Sequence, residues 1–113
     1  MSVNKVILVG NVGRDPEFQY LEGKRPRAYF SLATSEGGYT NSAGVQIPEL
    51  TEWHRIVMWD KFAETAEKYI RKGTKLYIEG KLRTRTWEDR NTIKHTVTEI
   101  HVEFFEILSR PQS

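Results

Sequence analysis

One stretch of this chain has the marks of a helix, and the apolar runs on either side of it read as strands. Residues 60–72, DKFAETAEKYIRK, open on Asp60, an N-cap residue type. They place Phe62, Ala66, Tyr69 and Ile70 at one-face spacing and end on Arg71 and Lys72, cations suited to a helix C-terminus. Gly73 then supplies a residue that can turn left-handed. Ahead of the helix, residues 3–9, 27–35 and 51–59 alternate or run apolar, and behind it residues 75–87 and 94–107 do the same. At 113 residues there is room for one domain, 1–113, with residues from about 109 to 113 expected to be a flexible end.

Three strands, a helix and two strands in this length predict an all-β protein. The expected architecture is a five-stranded Greek-key OB-fold barrel with one α-helix between strands three and four. Gly80, in mid-strand, marks the bend that a small closed barrel needs. The connections carry turn chemistry. Pro16 makes Arg14–Glu17 a bend, and Leu21–Pro26 is a polar loop beside Lys24, Arg25 and Arg27. Residues 36–50, broken by Gly37, Gly38, Asn41, Gly44 and Pro48, are a projecting hairpin or loop that carries Tyr39.

Chemistry concentrates in the strand just before the helix, TEWHRIVMWDKF. Alternation puts Trp53, Arg55, Val57 and Trp59 on one face, and His54, Ile56 and Met58 on the core face. Two indoles with a guanidinium between them offer π-faces beside a fixed positive charge, which suits unpaired nucleobases and their phosphates. The competing interpretation makes both indoles ordinary core residues with Arg55 snorkelling past them. A second pattern favours nucleic acid. Lys81, Arg83 and Arg85 recur at every second position, share one strand face, and lead to Trp87 with no acidic residue between them. Such a row can follow a phosphate backbone. Arg14, Arg27, Arg55 and Lys72 can extend the path, as can Lys24 and Arg25. Residues 71–90 hold seven Lys/Arg against Glu79, Glu88 and Asp89, whereas Glu99, Glu103 and Glu106 form an acidic stripe near the C-terminus.

Other classes fit poorly. There is no cysteine for a disulfide or thiolate site, His54, His95 and His101 are scattered singly, and no nucleophile motif or phosphate-cradling glycine loop is present. An enzyme is therefore not expected, nor a cofactor or metal. The short apolar run before Gly10 resembles neither a signal peptide nor a membrane span, so a cytoplasmic location without membrane contact is expected. An OB-fold adaptor of the primosomal type, binding protein or structured nucleic acid, is the alternative function.

The segments VNKVILVGNVGRDPE, ATSEG, TEWHRIVMWDKFAETAEKYIRKG and YIEGKLRTRTW, in this order, resemble the DNA-binding domain of bacterial single-stranded-DNA-binding proteins over residues 3–108. The resemblance implies an OB-fold that assembles as a homotetramer and coats single-stranded DNA, without sequence preference, in replication, recombination and repair. It would lie on the nucleoid. Trp53 and Trp87 match base-stacking aromatics of the family, Trp59 falls where another stacks, and Tyr39 is nearest to a fourth. His54 matches a histidine at a subunit interface. Members of the family usually continue into a flexible linker and an acidic tip that recruits replication and repair proteins. The sequence ends RPQS, so recruitment of that kind is not expected of it.

Overall fold

The structure, a computed structural model, describes residues 1–111. The strands are β1 (Val6–Val12), β2 (Glu17–Leu21), β3 (Arg25–Glu36), β4 (Tyr39–Thr40), β5 (Gln46–Ile47), β6 (Leu50–Trp59), β7 (Lys75–Glu88) and β8 (Lys94–Ser109). A single α-helix, α1 (Asp60–Tyr69), lies between β6 and β7, and a 3-10 turn, Glu22–Lys24, joins β2 to β3. The main sheet runs β1-β7-β8-β6-β3-β2 and closes on itself because β1 also pairs with β3. The ring consists of β1, β3, β6, β8 and β7, the five expected strands in OB order, and only β6–β8 is parallel.

The first strand departs from expectation in a useful way. It starts at Val6 rather than Val3, and after a break at Gly13–Pro16 it resumes as β2, a strand that the loop chemistry of this region concealed. Both halves pair with β3: Val12 lies opposite Leu32 and Glu17 opposite Tyr29, so four residues bulge past two. Gly13 stays fastened there, donating its N–H to Ser31 at 2.9 Å. A strand broken in this way can turn the corner of a barrel. Beyond β3, residues 39–47 fold back as the short β4–β5 hairpin.

The core is built from the inner phase of each strand. Phe30, Leu32, Ile56, Met58, Leu76, Ile78 and Ile100 are buried, and Ala63 and Ala66 of α1, with Ile70 just past its end, join the same core. The helix differs from the sequence expectation at three points. Asp60 is not an N-cap; it has a left-handed φ of 58° and its carboxylate binds Arg25. Tyr69 is exposed, its place on the buried face taken by Ala63. The helix also stops at Tyr69 rather than Lys72, where Arg71 donates to the carbonyls of Glu67 and Ile70.

Two further corrections concern β7 and β8. Leu82, which alternation sets in phase with the buried Leu76 and Ile78, is 48% exposed, because here the β7–β8 pair extends past the barrel as an arm. In β8 the alternation changes phase. Gly80 lies opposite Val102 but Glu79 lies opposite Phe104, so Glu103 is an extra residue, and Phe105 packs on the core while Phe104 faces out. The carbonyl of His101 approaches Gly80 too closely for a side chain at that position, which explains the glycine.

Candidate nucleic-acid interface

Register fixes which side chains share the outer surface. Across β3, β6, β8 and β7, Tyr29 lies opposite Val57, Val57 beside His101, and His101 opposite Lys81. Residues two apart on each strand point the same way. One continuous face therefore carries Arg27 and Tyr29; Trp53, Arg55, Val57 and Trp59; His95, Glu99 and His101; and Lys81, Arg83, Arg85 and Trp87. Val57 is buried within this face by its neighbours, whereas Arg55 is exposed.

Two shallow grooves cross it. The larger, about 790 Å³, includes Arg14, Arg27, Tyr29, Trp53, Arg55 and Arg85 in its lining. The smaller, about 600 Å³, includes Arg25, Trp59, Lys61, Lys81, Arg83 and His101. Six of the seven expected phosphate ligands line these grooves. The seventh, Lys72, sits in the turn after α1, where its backbone N–H donates to Asp15, a residue of the larger groove.

The three indoles have different settings. Trp53 is 59% exposed, and the edge of its six-membered ring lies so close to Gly13 that an added Cβ would come within 2.5 Å of it. Glycine here leaves room for that ring edge beside the backbone. Trp59 is half-buried: its Nε1–H donates to His101 Nδ1 at 3.1 Å, and the Arg25 guanidinium sits 4.3 Å above its ring. Arg25 is in turn held by two bonds to Asp60, at 3.0 and 3.1 Å, and this pairing keeps the Asp60 carboxyl below its usual pKa. Trp87 is 45% exposed and stacks on His95, with centroids 4.4 Å apart. Tyr39 projects from the β4–β5 hairpin, away from the three indoles in sequence and sheet.

The cationic row is less uniform than its sequence suggests. Glu99 lies opposite Arg83 in register, only 8% exposed, and accepts from Arg85 Nε at 3.2 Å. The acidic partner that is missing along β7 is thus supplied by β8, and the expected stripe of Glu99, Glu103 and Glu106 does not exist as one surface. Glu99 belongs to the groove face, Glu103 to the bulge, and Glu106 sits opposite Tyr77. Burial lowers the pKa of His101, with Glu99 opposing that shift. The neutral ring can then accept from Trp59 at Nδ1 while its Nε2 lies 3.4 Å from Glu99. His54 is half-buried, and its Nε2 is bonded to Thr34 Oγ1 at 2.8 Å.

Arg27 has a different environment. Its Cζ lies 5.0 Å from the Tyr29 ring, and its Nε is buried with no hydrogen-bond partner among the described residues. An unmatched buried donor costs about 1–3 kcal/mol, so the site favours an incoming acceptor.

The model of the single-strand binding protein family matches residues 3–108. The chain belongs to this family. It is 52% identical, over 109 residues, to the single-stranded DNA-binding protein of Bacteroides thetaiotaomicron, an alignment that covers 96% of this chain and 68% of that protein. Its fold superposes with a TM-score of 0.83 on a solved structure described as Plasmodium falciparum SSB complex with ssDNA. That match is 35% identical and covers 96% of this chain and 97% of the other.

Against this family background, the face contains residues that sequence reasoning missed: Tyr29, His95, Glu99 and His101. Tyr29 was within reach, since alternation in β3 sets it with Arg27 opposite Ala28 and Phe30. The three β8 residues gave no such signal, because their place on this face comes from the register with β6 and β7.

Proposed function

We propose that this chain, acting as a single OB-fold domain, binds and coats single-stranded DNA without sequence preference, in replication, recombination and repair. Bases stack on Trp53, Trp87, Trp59 and Tyr39, and phosphates meet Arg55, Lys81, Arg83, Arg85, Arg14, Arg27 and Lys72. The observation that carries this reading is the open indole of Trp53 in a groove lined by Arg14, Arg55 and Arg85. The chain acts by binding and not by catalysis. Among the described residues no three of His, Cys, Asp and Glu converge as a metal site would require, and no helix is long and apolar enough to cross a membrane. We place it in the cytoplasm, on the nucleoid.

Adding a single-stranded oligonucleotide is expected to quench tryptophan emission strongly and duplex DNA weakly; equal quenching by both would refute the assignment to unpaired bases. Within the same titrations, Arg83→Ala is expected to reduce the magnitude of the salt slope by about 0.7, the share of one phosphate contact on a single strand. An unchanged slope would make Arg83 a solvated residue only.

Assembly as a homotetramer is part of the proposal. On the outer surface of β1, Ile7 and Val9 are exposed, and Tyr77 and Phe104 continue the apolar patch along β7 and β8. A second copy of the chain would cover it, and His54 lies in β6 as the further expected contact between subunits. Light scattering should return four times the 13.2 kDa chain mass. The mass of one chain at micromolar concentration would contradict the proposal.

A further inference from the structure

The tip of the β7–β8 arm is organised around one carboxylate. Asp89 Oδ1 accepts from the backbone N–H groups of Asn91 and Ile93, at 2.8 and 3.0 Å, and so shapes the turn in which Thr92 takes a left-handed φ of 60°. Its other oxygen, Oδ2, lies 2.8 Å from His95 Nε2. His95 and Trp87 are direct cross-strand partners, and their rings stack with an interplanar angle of 20°. The hydrogen bond from His95 is also the main reason the Asp89 carboxyl titrates below its usual range. One acidic residue therefore sets the turn and presses an imidazole onto an indole.

We propose that His95 is a positioning residue for nucleic-acid binding: clamped by Asp89, it covers one face of Trp87 and holds the indole ready to stack a single base on the other. An exposed indole on an arm that projects beyond the barrel would otherwise sample several rotamers, and ordering it would oppose binding. The His95 ring supplies that order before DNA arrives. The other indoles are set differently: the ring edge of Trp53 lies beside Gly13, and Trp59 carries the Asp60-bound Arg25 over its ring and donates its N–H to His101, with no imidazole stacked on either. The inference rests on Trp87 being a stacking platform.

The test uses the whole chain and an oligodeoxythymidylate as probe. His95→Ala is expected to lower affinity roughly two- to tenfold, the worth of one aromatic pair, with the thermal transition of the fold unmoved. His95→Phe, which restores a ring without the hydrogen bond to Asp89, should return affinity to within about twofold of the parent, whereas His95→Lys should behave like Ala. In a background where Trp53 and Trp59 are Phe, so that Trp87 alone emits, His95→Ala should also lower the fluorescence anisotropy of the free protein. Asp89→Asn keeps an acceptor for the turn but weakens the clamp, and should shift affinity in the same direction by less. Unchanged or tighter binding by His95→Ala would overturn the inference, as would failure of Phe to rescue where Lys does. If Trp87→Ala itself leaves affinity unchanged, the stacking platform falls and this inference with it. If Trp87→Ala weakens binding and His95→Ala does not, only the role of His95 is lost.

Discussion

Truncating Trp53 to Ala is expected to cost about 1–3 kcal/mol of single-stranded DNA binding, a loss of roughly five- to 150-fold, and almost nothing in folding stability. The asymmetry follows from where the indole sits. More than half of it is exposed, the edge of its ring lies beside Gly13, and its removal opens no cavity in the barrel. A buried tryptophan would behave in the opposite way, with about 3–5 kcal/mol of stability lost. Thermal melts and fluorescence titrations on this variant decide between the two. Gly13→Ala provides a companion measurement: the new methyl would collide with the ring edge and displace the platform without deleting it, so affinity should fall by less than in Trp53→Ala. Unaltered affinity in a folded Trp53→Ala protein would overturn the mechanism.

Alternation alone was enough to place Trp53 and Arg55 outside and Ile56 and Met58 inside, because β6 is regular from end to end and its period of two survives the fold. The same rule failed in β8, where Glu103 is inserted opposite a continuous stretch of β7 and the residues after it, as far as Ile107, change face. A bulge of one residue has no compositional mark, so Phe104 and Phe105 could not be told apart by pattern. The β1–β2 break is similar. Asp15 and Pro16 advertise a turn, and only pairing with β3 shows that the chain resumes as a strand on the far side.

The candidate interface was legible where a residue's proposed role rests on its own chemistry and illegible where it rests on a neighbour. Trp53 and Arg83 announce themselves by type and spacing. Glu99 does not, since its importance comes from standing across the sheet from Arg83 and Arg85, 14 residues away along the chain from Arg85. Arg25 likewise read as one more loop cation, but its pairing with Asp60 and its seat above Trp59 commit it to the protein. Such a cation can still lend its field to a bound phosphate, yet its side chain is not free to follow one. Of the row on β7, Arg83 is therefore the better site for a salt-slope measurement, because removing Arg85 would also take the guanidinium from Glu99 and leave that nearly buried carboxylate with His101 alone.

Ile56→Ala should give the largest loss of stability, about 2–5 kcal/mol, while leaving the binding face chemically intact. Ile56 is fully buried, directly across from Phe30 on one side and beside Ile100 on the other, at the parallel β6–β8 junction that helps to close the barrel. The strands around it are hydrogen-bonded to both neighbours and cannot collapse inward to fill the space, so most of the cavity should persist. Set against the 5–15 kcal/mol typical of a whole domain, that is a large fraction, and the melting temperature should fall by roughly 4 °C or more for each kcal/mol lost. Trp53 is three residues away on the same strand, pointing outward. In protein that remains folded at low temperature, affinity for single-stranded DNA should stay within about threefold of the parent, under 0.7 kcal/mol. A drop in affinity as large as that of Trp53→Ala, measured well below the transition, would mean that the platform depends on core packing and that the two faces of β6 are not separable.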